Sequence, residues 1–237
     1  MIRPLAWCLI AAALTPVGVA QPLGPGEEPD VVASARLVEN TSYHVPAFDN
    51  YLVTVLNVYI PPHRESGYHL HSIDSIGILI SDTERTSQVL GAEPTVTAPR
   101  GRGSVSFTGY ASNHLIHNVA VTGDSPFHNI VLELNEPARG FRVGARGQGY
   151  TQIFDNERVR AWRLVLEPGE TAPVITQSAP GMRVVIEGGE LVELVPDSYE
   201  RAMAPRSGEF FWQDAGGTRA VRNVGTTRIE LIELELK

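Results

Sequence analysis

Between residues 51 and 236 the chain is a succession of short runs rich in Val, Ile, Leu, Thr and Tyr, separated by Gly, Pro, Asn and Asp. The runs are Tyr51–Ile60, Ser75–Ile80, Gly103–Phe107, Phe127–Leu134, Arg158–Leu166, Met182–Ile186, Glu190–Val195, Glu209–Gln213 and Ile229–Leu236. None sustains the three-and-four apolar spacing of a long amphipathic helix, and many short strands at fairly regular spacing predict an all-β sandwich or barrel.

The runs repeat. A shift of 106 residues lays Asp49-Asn50 on Asp155-Asn156, Val53 on Val159, Pro62 on Pro168 and Ile80 on Ile186, without a gap. A shift of 102 lays Gly123 on Gly225, Ile130 on Ile232, Leu132 on Leu234 and Leu134 on Leu236. A repeat this long means two copies of one β-domain rather than a short-period solenoid. The expected organisation is a first barrel over residues 35–139, a Gly-rich connector over 140–154 and a second barrel over 155–237.

Ahead of them, residues 1–20 read as a secretory signal: Arg3, an apolar stretch from Leu5 to Leu14, and Gly18-Val19-Ala20 as a small-x-small cleavage site. Residues 21–34 are a Pro/Gly/acidic linker. The expected location is the periplasm or outside the cell, with no stable membrane span once the signal is removed. Cys8, the single cysteine, would leave with the signal. That excludes a thiol nucleophile, a disulfide framework and thiolate ligands, leaving His and carboxylates as strong metal ligands. A formal net charge of −8 argues against nucleic acid as a partner.

The stretch Gly67–Asp82 carries His69 and His71, followed by an apolar run. Residues two apart on a strand point the same way, so both imidazoles could meet one ion; alone, the pair also suits a solvated strand face. All seven histidines precede residue 129, and at the repeat offsets His69, His71 and His117 fall on Ile175, Gln177 and Arg219. Histidine chemistry is therefore expected in the first half only, with the second half as scaffold. Arg219 could bind an organic anion inside its barrel, but reads more readily as reaching outward past Thr218.

Each half resembles a cupin, a small double-stranded antiparallel jelly-roll barrel, and the whole resembles a bicupin with a degenerate second barrel. Gly67, His69, His71 and Asp74 fit the first cupin motif, with Ser81-Asp82 where a Gly is usual. The second motif, a His followed by Asn four and Gly six residues on, is clearest around Arg219, Asn223 and Gly225. Projected back it selects His117, with Val121 for the Asn and Gly123 for the Gly. His114 with Asn118 satisfies the same His–Asn spacing. The two histidines are an odd number apart, so only one can face inward on a regular strand, and the register of Gly123 favours His117.

The resemblance implies a metal site of His69, His71 and His117, completed by Asp74 or by water. Asp74 stands one residue before the usual place of the acid, at an odd step from His71. The implied cofactor is a divalent transition metal: iron, manganese, nickel, zinc or copper. The implied partner is a small-molecule ligand or substrate, and the implied activities are those of a dioxygenase, decarboxylase or isomerase on a small oxygenated organic molecule. A non-catalytic bicupin that binds a small ligand or partner is the alternative. Two barrels can pair within one chain, and further oligomerisation is left open. His63, Arg64, Glu65 and Tyr68 are candidates to support the ligands, while His44, His128, Trp162 and Trp212 read as structural.

Overall fold

The computed structural model describes residues 36–196 and 198–237. The stretches read as signal and linker therefore lie outside the described residues. The described chain is all β apart from one short 3-10 turn at Val38–Asn40. Among these residues no helix is long and apolar enough to cross a membrane.

The first half contains β1 (Arg36–Leu37), β2 (His44–Asp49), β3 (Val53–Ile60), β4 (His69–His71), β5 (Ser75–Ser81), β6 (Arg85–Val89), β7 (Thr95–Thr97), β8 (Val105–Thr108), β9 (Leu115–Val121) and β10 (Phe127–Leu134). They form two sheets, ordered β1-β4-β9-β6-β7 and β2-β3-β10-β5-β8. The second half contains β11 (Tyr150–Asp155), β12 (Val159–Leu166), β13 (Ile175–Thr176), β14 (Gly181–Glu187), β15 (Leu191–Val195), β16 (Tyr199–Met203), β17 (Phe210–Gln213), β18 (Thr218–Asn223) and β19 (Ile229–Leu236). Its sheets, β11-β12-β19-β14-β17 and β13-β18-β15-β16, repeat the first half strand for strand, β1 being the only addition. The fold is two jelly-roll barrels in tandem. Strand β11 begins at Tyr150, inside the Gly-rich stretch 140–154, and pairs with β12.

The matched residues of the two repeats have matched tasks. Asn50 Oδ1 accepts from the amides of Leu52 and Val53, and Asn156 Oδ1 accepts from those of Arg158 and Val159, so each opens the same side-chain-capped turn into a long strand. Gly123 and Gly225 donate to the carbonyls of Glu84 and Glu190. A Cβ at Gly123 would crowd Thr83 Oγ1 and lie 3.2 Å from the Glu84 amide nitrogen, so the chain passes close there.

The largest apolar cluster lies between the barrels. Ile76, Ile78, Ile80, Ile130, Leu132 and Leu134 of the first pack with Val184, Ile186, Ile232, Leu234 and Leu236 of the second. Each barrel adds an inner cluster, Leu56, Val58, Ile60 and Leu79 in the first and Trp162, Leu164, Leu166 and Leu231 in the second. Strands β5 and β14 are thus covered on both faces, which explains why Ile76–Ile80 is nearly continuous in apolar residues where a one-faced strand would alternate. Truncating the shared layer should leave a cavity that neither barrel can close. Leu132→Ala is expected to cost about 2–5 kcal/mol, with both barrels still unfolding in one transition, as urea titrations followed by fluorescence and circular dichroism would show.

Candidate metal centre

Strand β4 turns His69 and His71 to the same side, into the first barrel, where both are buried. Its antiparallel neighbour β9 sets His117 directly opposite His69. The three rings form a tight group, with centroids 4.9 Å apart for His69 and His71, 4.7 Å for His69 and His117, and 5.1 Å for His71 and His117. His114 is exposed in the turn before β9. The cross-strand pair recurs in the second barrel, where Ile175 lies opposite Arg219.

A fourth ring joins from β2. His44, read from sequence as structural, is buried with its centroid 4.5 Å from that of His69 and 6.3 Å from that of His71. The nitrogens that His44, His69 and His71 can offer all lie within 4.8 Å of one another. The pairing of His44 with Val58 on β3 brings it there, and no local spacing ties His44 to the later motif, so only long-range strand pairing reveals it.

Asp74 is placed elsewhere. In the bend between β4 and β5 its Oδ1 accepts from the Ala111 amide at 2.8 Å, and its Oδ2 lies 3.8 Å from Arg158 Nη1 of the second barrel. The odd step from His71 leads this carboxylate to a turn and a bridge between barrels, not into the ring cluster. His63, Arg64 and Glu65 are exposed in the loop between β3 and β4, with His63 on Asp124 and Glu65 on Asn118. His128 lies against Asn57 and Tyr59.

The groups that orient the rings are smaller. The Gly67 carbonyl, an acceptor only, lies 2.9 Å from His69 Nδ1, so that nitrogen carries the hydrogen and Nε2 presents its lone pair. Thr41 Oγ1 donates to the Val38 carbonyl and therefore accepts from His44 Nδ1 at 2.7 Å, with the same result. Ser87 Oγ lies 3.0 Å from His117 Nδ1. His71 stacks on Tyr110 at 4.6 Å.

Burial, reinforced by the neighbouring rings, lowers His44 to about 3 and His71 to about 2. Burial and the charge of His69 lower His117 to about 4, and burial lowers His69. All four rings are neutral at physiological pH, as metal donors must be. His69 Nε2 and His71 Nδ1 are buried with no partner among the described residues. Such orphaned acceptors normally destabilise a fold by about 1–3 kcal/mol each. An ion bonded to them would remove that cost, so the donor set fits a divalent transition metal. Beside the rings opens a cavity of ≈ 230 Å³, whose wall includes His71, His117, Ser75, Ser106, Thr108 and Asn129.

In the second barrel the same region is filled by charge. Glu233 pairs with Arg146, Arg183 and Arg219, Arg183 reaches on to Glu193, and Gln177 accepts from Arg219. Burial alone would raise Glu233, but the three guanidiniums overcome it and hold the carboxyl well below its usual range. Arg219 therefore points inward, contrary to the outward reading, because Glu233 on β19 supplies its counter-charge.

No protein-family model and no curated protein sequence matches the chain. Solved structures do. AerE from Microcystis aeruginosa superposes with a TM-score of 0.57 at 11% identity, over 83% of this chain and 98% of that one. A variant of oxalate decarboxylase from Bacillus subtilis superposes with a TM-score of 0.55 at 9% identity, over 78% of this chain and 69% of that one. At these identities the likeness establishes the fold. The chain has the cupin fold, in its two-barrel form.

Metal-free protein should lose stability as the pH falls. The unfolded chain protonates its histidines near the ordinary 6.5, whereas the folded chain resists until about 4 at His117 and about 3 at His44. Stability is therefore complete above about 6.5 and lost as the pH drops toward those lower values, by up to about 2 kcal/mol per histidine between pH ~6.5 and ~5. Urea midpoints of chelator-treated protein across that range check this; a flat profile would mean the rings are solvated.

Proposed function

We propose that the first barrel binds a divalent transition metal through His69, His71 and His117, with His44 as a fourth imidazole, and acts on a small oxygenated organic molecule held in the adjoining cavity. The observation that carries this reading is the pair of orphaned buried nitrogens, His69 Nε2 and His71 Nδ1, inside a group of neutral rings. Oxalate decarboxylase, which shares the fold, has Mn(II) centres, and this supports a divalent ion here without identifying it. Bound at these rings, the ion would supply Lewis-acid chemistry toward a substrate oxygen and, if redox-active, electron transfer.

The rest falls to the chain's own residues. Gly67, Thr41 and Ser87 hold the rings in place through Nδ1. Tyr110 backs His71, and burial keeps its phenol protonated. Ser75, Ser106, Thr108 and Asn129 offer hydrogen bonds to an oxygenated ligand in the cavity wall. The second barrel, with its matching register and its ionic filling, serves as scaffold. Export directed by residues 1–20 completes the reading, supported by a chain without cysteine beyond Cys8.

Elemental analysis of protein purified without a histidine tag is expected to find close to one equivalent of a transition metal. His69→Ala, His71→Ala and His117→Ala should each lower it at least about tenfold, and His44→Ala should weaken retention against a chelator. His114→Ala and Asp74→Ala should leave it unchanged. Less than about a tenth of an equivalent in the parent protein after reconstitution would overturn the metal reading.

A further inference from the structure

The wall of the first-barrel cavity also carries two arginines, Arg85 and Arg100. On β6, Arg85 and Ser87 are two residues apart and face inward together, and Ser87 touches His117. Arg85 therefore lines the same cavity as His71 and His117, two residues along β6 from Ser87. It stacks 4.6 Å from the centroid of the Phe127 ring. Its Nη1 donates to Asp82 and to the Thr83 carbonyl, while Nε and Nη2 have no partner among the described residues.

Among the described residues Asp82 is the one carboxylate in contact with this pair, and it is already engaged. Its Oδ1 accepts from Arg85 and from the Thr83 amide, and its Oδ2 accepts from the backbone amide of Arg100. The side chain of Arg100 has no carboxylate partner among the described residues. Two guanidiniums against one carboxylate leave this end of the cavity with a surplus positive charge and free donors in fork geometry, the pattern that receives a carboxylate. The cavity of ≈ 230 Å³ has room for a small organic molecule.

We infer that the ligand of the first barrel is a short-chain organic acid, its carboxylate clamped by Arg85 and Arg100 and a second oxygen function directed at the histidine cluster. This names the substrate class of the site proposed above and rests on that proposal for the second contact alone. Ser87 and the hydroxyls of Ser106 and Thr108 would border the ligand between the two ends.

Calorimetric titration of zinc-loaded and metal-free protein with malonate, its neutral diamide malonamide and inorganic phosphate tests this. Malonate is expected to bind the zinc-loaded form, more weakly as salt rises, and malonamide to bind at least about tenfold more weakly. Arg100→Gln, on an exposed residue, and Arg85→Lys, which keeps a cation beside Asp82, should each weaken malonate about tenfold or more with metal content and thermal midpoint unchanged. If Arg85→Lys fails to fold, Arg100→Gln decides. Equal binding of malonate and malonamide, unchanged malonate binding in the folded variants, or tighter binding of phosphate than of malonate would overturn the clamp. Malonate binding to metal-free protein that Arg100→Gln weakens would support the clamp even where no metal is taken up. Retained metal with arginine-independent malonate binding would sink the clamp alone.

Discussion

The apolar layer between the two barrels is the constraint on which the rest depends. Strands β5 and β10 of the first barrel and β14 and β19 of the second give one face each to this layer, through Ile78, Leu132, Val184 and Leu234 among others. Burial of branched aliphatic side chains there contributes about 1.5–3 kcal/mol each, and it is gained outside the barrels. The interior of the first barrel is thereby relieved of carrying the whole core. It can hold histidines, hydroxyls and a cavity whose polar lining would leave a lone barrel of this size short of buried apolar surface.

The two halves show how one backbone supports two interiors. Their strand orders coincide, and one cross-strand position is His69 opposite His117 in the first and Ile175 opposite Arg219 in the second. In the first, His69 Nε2 and His71 Nδ1 of the four-imidazole cluster have no partner among the described residues. In the second, Glu233 pairs with Arg146, Arg183 and Arg219 in the corresponding space, although Arg146 Nε, Arg183 Nη2 and Arg219 Nε have no hydrogen-bond partner among the described residues. Buried ion pairs of this kind add little net stability compared with apolar packing, but they occupy volume and leave no neutral donors for a metal.

Much of this was legible in the chain. Short β runs without helical periodicity implied an all-β fold, and the offsets of 106 and 102 implied its duplication. The residues that matched across the repeat proved to be turn-forming Asn50 and Asn156, close-packed Gly123 and Gly225, and the aliphatic side chains of the shared layer. Local rules preserve such positions, since a turn or a two-faced strand states its requirement within a few residues. The even spacing of His69 and His71 allowed the two rings to share a face, and the odd spacing of His114 and His117 meant that only one of those could join them, with the register of Gly123 favouring His117.

His44, Asp74 and Arg219 were misread or left open for a common reason: each is governed by a partner distant in sequence. His44 enters the cluster because β2 pairs with β3, Asp74 is drawn to the amide of Ala111, and Arg219 turns inward to Glu233. The strands, the duplication and the half that retains histidines could be read from the chain alone, because side-chain periodicity and turn chemistry act over neighbouring residues. Which side chains meet across the barrel emerged with the folded chain, because strand pairing and charge compensation join residues tens of positions apart.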